Sequence, residues 1–375
     1  MLSNTKCYDT AMKIGIVGAG ASGVFLAIRL KESNPSFDVT LIERNDKILK
    51  KVLVTGNGRC NYANTGELKD KYNNELANKL LKEFTPNDIV KAFDSFGVHP
   101  TYIDNLVFPT SLSAQTVVLM MSKKITELGI KVFTNEKVID YQKKNAQFVV
   151  KTENKEFIFD KLVLSAGGKS YPQLGTDGTV IDILNKHGYK IKELSPTLAP
   201  IKVKENTKKI SGQRVRSRVY LYQDHKAIYQ EDGEVLFKDD GLSGIVILNI
   251  SSRINRLNNL KNVQIILDLA PNYQEINKKK QYDEYVSPKV AEYLLANNLD
   301  IHHLAFSFKA FYDYQIAEVS HGGLALEEVS DSLESKKEKG LHFTGELLDV
   351  DGMCGGYNLM FAFASAEKVK KALGE

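Results

Sequence analysis

KIGIVGAGASGVFLAIRLKESNPSFDVTLIE, residues 13–43, decides the fold. Lys13–Val17 is a short run rich in β-branched residues, the composition of a buried strand. Gly18-Ala-Gly20-Ala-Ser-Gly23 follows at once and fits G-x-G-x-x-G. Ser22 to Lys31 is amphipathic, Pro35 interrupts it, and Asp38–Ile42 reads as a second strand. Strand, glycine turn, helix and strand within about 30 residues make the βαβ unit of a dinucleotide-binding fold. Gly18 permits the tight turn, Gly20 lets backbone amides approach a pyrophosphate, and Gly23 lets the helix pack on the strand. The helix start at Ala21 and Ser22 offers unpaired N–H groups and partial positive charge to phosphates. Glu43 ends the second strand, where an acidic side chain accepts hydrogen bonds from an adenosine ribose, or else is simply a solvated strand end. This motif alone does not separate FAD from NAD.

Outward from it, residues 45–66 are rich in Gly, Asn, Lys and Thr without a clean period, a loop with a function of its own. Residues 75–98 and 114–128 read as helices. Alternation at Lys131–Phe133, Gln147–Thr152 and Glu156–Phe159 predicts a small β-meander. A third buried strand, Lys161–Ser165, runs into Gly167-Gly168. Residues 200–238 are strand-rich, with alternation in Val215–Tyr222 and a turn expected at Asp232-Gly233. Residues 272–300 turn polar and helical; Gly340–Thr344 gives another strand and Tyr357–Leu373 a closing helix.

Several further segments carry a resemblance. Lys51-Val-Leu-Val-Thr-Gly-Asn-Gly-Arg-Cys-Asn61 is similar to the K-x-x-x-S/T-G-x-G-R-C-N signature of a bacterial flavoprotein family, variously called BaiN-like, YhiN-like or aminoacetone oxidase-type. Leu164–Pro172, Gly175–Gly178, Asp240–Gly244 and Gly345–Asn358 match in the same order, so the resemblance spans residues 13 to 366. It implies an α/β fold: a Rossmann-like FAD-binding domain assembled from both chain ends (1–192 and 339–375), with an insert at 193–338. The insert is expected to be β-rich and barrel-like over about 197–270, with a small helical piece over about 271–310. The implied cofactor-binding set comprises the first-motif residues Gly18, Gly20, Ala21, Ser22, Gly23, Glu43 and Arg44, then Lys51, Thr55, Gly56, Gly58, Arg59, Cys60 and Asn61. Val138, Ala166, Gly167 and Gly168 join it, and from the last motif Gly345, Glu346, Asp349, Gly355, Gly356, Tyr357 and Asn358. Small residues at 55–61 allow close backbone approach, and Arg59 suits a phosphate or a flavin carbonyl. Asp349 is expected at the ribityl or phosphate region. The closing helix is expected to aim its N-terminus at the flavin, with Gly356 against the ring.

Cys60 and Cys354 fall in loops expected beside the flavin, but they lack the C-x-x-C spacing of dithiol–flavin enzymes and read as unpaired structural thiols. His321, in Ser-His-Gly-Gly, and Tyr171 each read either as a substrate-side group or as an ordinary polar residue. Asp300-Ile-His302-His303 does not converge as a metal site, so none is expected. Net charge is +4, from 50 Lys+Arg against 46 Asp+Glu, a poor basis for nucleic acid or membrane partners. Sparse cysteine, a polar start and no long apolar run point to a soluble cytoplasmic chain. The expected activity is hydride transfer between a small organic substrate and non-covalent FAD, reoxidised by oxygen, NAD(P) or another carrier. No second G-x-G-x-x-G unit is present for a nicotinamide, which would have to meet the flavin face directly; reductase, dehydrogenase and amine oxidase-like chemistry stay open. The alternative is a FAD-containing protein that binds or modifies RNA.

Overall fold

The computed structural model describes residues 11–273 and 282–374. Cys7 and part of the polar stretch at 272–300 lie outside the described residues.

The first part of the chain runs β1 (Lys13–Val17), α1 (Ala21–Ser33), β2 (Asp38–Ile42), β3 (Ala63–Asn64), α2 (Glu75–Glu83), α3 (Pro86–Ser95), β4 (Pro100–Ile103), β5 (Leu106–Pro109) and α4 (Ala114–Glu127). It continues with β6 (Lys131–Phe133), β7 (Val138–Lys144), β8 (Gln147–Thr152), β9 (Glu156–Phe159), β10 (Lys161–Leu164) and α5 (Thr179–Lys186). After β11 (Ile191–Thr197) come β12 (Ile201–Val203), β13 (Arg214–Gln223), β14 (Lys226–Lys238), β15 (Gly241–Ser243), α6 (Ile245–Asn255), β16 (Val263–Asp268), α7 (Pro288–Ala296) and β17 (Leu304–Phe311). The chain returns through β18 (Val319–Leu324) to β19 (Leu341–Phe343) and α8 (Tyr357–Gly374).

The central sheet is parallel, in the order β19-β10-β1-β2-β6. Leu162 on β10 pairs with Leu341 on β19, so the sheet is completed from the far end of the chain. Both faces are covered, which suits the near-continuous apolar strands. On one face α1 and α8 pack together, and Phe25, Phe93 and Phe363 form an aromatic cluster with centroids 4.9–5.9 Å apart. On the other face lies the antiparallel meander β7-β8-β9. A Cβ at Gly15 in mid-β1 would stand 2.3 Å from the Phe159 ring, so the meander seats directly on the strand.

The insert closes into a six-stranded barrel, β12-β15-β14-β13-β16-β17, with its own core that includes Ile201, Val219, Phe237, Ile265 and Phe306. The antiparallel pair β11–β18 joins it to the sheet domain.

Several expectations need correction. Lys131–Phe133 is not part of the meander; it is β6, the edge of the central sheet, and β7 takes its place. The stretch 75–98 is two helices, because Thr85 caps α3 with a reciprocal Thr85–Asp88 box and Pro86 fills its first turn. Asp232-Gly233 is not a turn. It lies inside β14, and the hairpin turns at Asp224-His225, both in the left-handed region at φ 48 and 65. Gly233 is instead a point of close approach: a Cβ there would meet Val246 of α6 at 2.9 Å. Residues 304–311, expected with the helical piece, form a barrel strand.

Candidate active site

A cavity of about 760 Å³ runs from the β1–α1 turn to the barrel. At the first end, Gly18 has φ +100, and a Cβ on it would strike the Ser165 carbonyl at 2.5 Å. A Cβ on Gly20 would meet nothing within 4 Å, which leaves the backbone open to the cavity. Gly20 caps α1 without a side-chain bond, so the N–H groups of that end face the space uncapped. Glu43 is 8% exposed; one carboxylate oxygen accepts from Ala19 N at 2.9 Å and the other from Asn45 N at 2.9 Å. The carboxylate therefore braces the glycine turn from behind while it lines the cavity.

Along the middle, Lys51 Nζ donates to Ser170 Oγ at 2.7 Å and to Glu346 at 2.8 Å. Arg44 pairs with Asp177. The guanidinium of Arg59, exposed, stacks 5.4 Å over Phe108. Thr55, Gly56, Asn61, Val138, Ala166, Gly167, Gly168, Ala21, Ser22 and Tyr171 also line the space. With its amide nitrogen donating to Ala63 O at 2.8 Å, Asn61 accepts from Gly356 N at 3.2 Å.

Gly355, Gly356, Tyr357 and Asn358 line the cavity at the start of α8. The Asn358 amide turns back on Gly352, accepting from its N at 2.8 Å and donating to its O at 2.9 Å. A Cβ at Gly356 would stand 3.0–3.1 Å from Asn61 and Ala63, so this turn packs closely on the loop that carries Asn61.

Five residues of the expected set do not line the cavity: Gly23, Gly58, Cys60, Gly345 and Asp349. A Cβ on Gly23 would sit 2.0 Å from Gly18 O, so this glycine serves helix–strand packing. Cys60 is 1% exposed, and burial pushes its thiol up to about 12. The Asp349 carboxylate faces Asn73 Nδ2 at 3.4 Å, and burial raises it.

His321 is also outside the lining. Its Nδ1 bonds the Asp351 carboxylate at 2.7 Å; Asp351, 1% exposed, also accepts from Ser252 Oγ at 3.1 Å, with Arg256 3.8 Å away. This pins the loop before α8 to the barrel helix α6. Burial alone would lower the His321 pKa, but the bond and charge of Asp351 outweigh it and raise the value. The pair therefore stabilises the fold fully below the ordinary imidazole pKa of about 6.5 and loses that contribution as pH climbs through the raised value. Urea midpoints measured from pH 6 to 9 are expected to fall in wild type over that upper range, and His321→Asn is expected to flatten the fall.

The barrel end holds residues that sequence reasoning missed. Tyr229 and Glu231 lie two apart on β14 and so share its inward face. Tyr229 Oη donates to Glu231 at 2.8 Å, Asn249 Nδ2 donates to the other oxygen at 2.8 Å, and Asn249 Oδ1 accepts from Cys354 N at 2.9 Å. Leu198, Ile245 and Glu318 complete this end. The alternation in β14 was the available signal, obscured by reading 232–233 as a turn.

The HI0933-like Rossmann-domain family model matches residues 12–372. The chain belongs to this family. Among curated relatives, the HI0933-like chain is 28% identical to a 3-dehydro-bile acid delta(4,6)-reductase of Clostridium scindens, over 97% of this chain and 99% of the relative. It is 27% identical to a ribosomal RNA dihydrouridine synthase of Haemophilus influenzae, over 94% and 96%. Two solved structures share its fold. E. coli quinol fumarate reductase FrdA has TM-score 0.53 and 13% identity, over 97% of this chain and 70% of that one. A 3-ketosteroid delta1-dehydrogenase of Sterolibacterium denitrificans has TM-score 0.51 and 10% identity, over 97% and 100%. Among the described residues of this HI0933-like protein, no helix is long and apolar enough to cross a membrane, and no group of three His, Cys, Asp or Glu is placed to hold a metal.

Proposed function

We propose that this chain is a FAD-dependent oxidoreductase that moves a hydride between non-covalent FAD and a small organic substrate held against the barrel. The observation that carries this reading is the single cavity joining a dinucleotide turn to a polar barrel chamber. The residues fit FAD. The open backbone at Gly20 and the uncapped start of α1 suit a pyrophosphate, and Glu43 suits a ribose. Lys51, Thr55, Gly56, Arg59, Asn61 and Gly355–Asn358 would hold the remainder of the cofactor. FAD supplies the two-electron chemistry there. Tyr229, Glu231 and Asn249 orient the substrate beside the apolar side chains of Leu198 and Ile245.

The purified protein is expected to be yellow and to release FAD on denaturation. An anaerobic screen of enones, hydroxy acids, amines and NAD(P)H for bleaching of the flavin spectrum then identifies donor and acceptor. A colourless protein that gains no FAD on reconstitution would overturn the reading. A second reading, in which the reducible group is a base in RNA, is favoured by relatives named ribosomal RNA dihydrouridine synthase. A gel shift with ribosomal RNA fragments separates the two.

A further inference from the structure

Six carboxylic side chains line the cavity: Glu43, Glu136, Asp177, Glu231, Glu318 and Glu346. Five are engaged. Glu43 holds two backbone N–H groups, and Glu136 accepts from Thr152 and pairs with Lys155. Asp177 pairs with Arg44, Glu231 accepts from Tyr229 and Asn249, and Glu346 accepts from Lys51, Ser170 and Ser320 N. The Glu318 carboxyl alone has no hydrogen bond or ion pair among the described residues. Its backbone is nevertheless fixed: its N donates to Leu198 O at 3.2 Å, and its O accepts from Ser170 Oγ at 3.2 Å. Glu318 is exposed, and it lines the cavity. This carboxyl faces the cavity from a fixed backbone, has no internal partner, and acts on the same Cys354 thiol as Glu231, so it is available to whatever binds at that end.

Resting on the FAD reading above, we propose that Glu318 is the proton-exchanging residue of this site, carrying the proton that joins the substrate as its double bond is reduced. One atom of a polarised double bond gains a hydride, two electrons and a proton, from reduced FAD. The π pair takes the second proton from the Glu318 carboxyl. Glu318 is left as carboxylate and FAD oxidised. A two-electron donor of the nicotinamide class recharges FAD, and Glu318 regains its proton from water in the cavity mouth.

The groups around Glu318 leave it the titrating member. Burial pushes its carboxyl above the usual range, opposed by Lys51. The Cys354 thiol is raised well above its ordinary value by burial and then by Glu318 and Glu231, and the Tyr171 phenol is raised by burial and then by Glu318. Both stay protonated through neutral pH. Lys51, Glu346 and Glu231 are tied to one another or to Ser170, Tyr229 and Asn249 as described. Negative charge added to the cavity on cofactor reduction raises the Glu318 carboxyl further, so reduction takes up one additional proton between its two values.

Spectroelectrochemical titration of the holoenzyme across pH 5 to 9 tests this without a substrate. The wild-type midpoint potential is expected to fall with pH by one more proton per two electrons than that of Glu318→Gln within that window. Above it the variant potential is the less negative, since a negative charge is gone. Glu318→Asp is expected to keep the additional proton. Coincident profiles for wild type and Glu318→Gln at full FAD occupancy would overturn the proposal while leaving the FAD reading intact; a wild-type protein that cannot bind FAD would overturn both. If neither variant retains FAD, the reduced-minus-oxidised infrared difference spectrum of wild type decides. A carboxylic acid stretch that appears on reduction and shifts in D2O supports Glu318, and its absence sinks the proposal.

Discussion

A chain ending at Thr344 is expected to lose FAD completely and to fail to fold, although Gly18–Gly23 and Glu43 are untouched. The missing segment contains α8, whose buried side chains include Tyr357, Met360, Phe361, Phe363, Val369 and Leu373. Each large apolar side chain contributes about 1.5–3 kcal/mol when fully buried. Six of them together are comparable with the whole net stability of an ordinary domain, about 5–15 kcal/mol. Truncation would also strip the cover from α1, leaving Phe25 without Phe363 at 5.0 Å. Soluble expression, circular dichroism and flavin absorbance of the truncated chain check this. A soluble, yellow, cooperatively unfolding product would show that the sheet domain does not depend on its distal part.

Glu43→Ala is expected to weaken FAD binding by roughly ten- to a hundredfold. A charge-assisted hydrogen bond to the ribose contributes about 1.5–3 kcal/mol, and each 1.4 kcal/mol is a factor of about ten in affinity. The substitution also releases Ala19 N and Asn45 N, each bonded at 2.9 Å, so the glycine turn loses its brace. Glu43→Gln is expected to fall between, because the amide can accept one of those two N–H groups but presents a donor to the other. Fluorescence titration of the apo-protein with FAD measures all three. Equal dissociation constants for wild type and Glu43→Ala would remove Glu43 from the site.

The β1–α1 end of the cavity was legible because backbone chemistry dictates it. A phosphate-binding turn needs glycines at fixed spacing and a strand on either side, and residues 13–43 contain both within one local segment. The barrel end was much less legible. Tyr229 lies on β14, Asn249 on the helix α6 that packs against it, and Glu318 on the segment between β17 and β18, so no local spacing announces them together. Gly233 misled for a physical reason: glycine next to aspartate is a turn signal, but here the missing Cβ makes room for Val246. Asp349 misled in another way. It shares a motif with residues that line the cavity, but its carboxylate turns to Asn73 and sits near His321, on the latch between loop and barrel helix.

The pairing of β10 with β19 sets the order in which the molecule can mature. Ser165 and Thr344, bonded at 2.9 Å, are 179 residues apart in the chain. During synthesis β1, β2 and β10 emerge long before the strand that completes their sheet, and their apolar edge must wait unpaired. The barrel faces no such delay, since all six of its strands lie between Ile201 and Phe311 and it closes on itself. The inserted unit is therefore positioned to fold first and to act as a clamp that brings β11 and β18, and with them the two halves of the sheet, to the same place. Contacts this distant slow folding through the loop-closure entropy they carry. A barrel that forms early shortens the effective loop between β10 and β19, so damage to the barrel would delay assembly of the cofactor site without touching a residue in it.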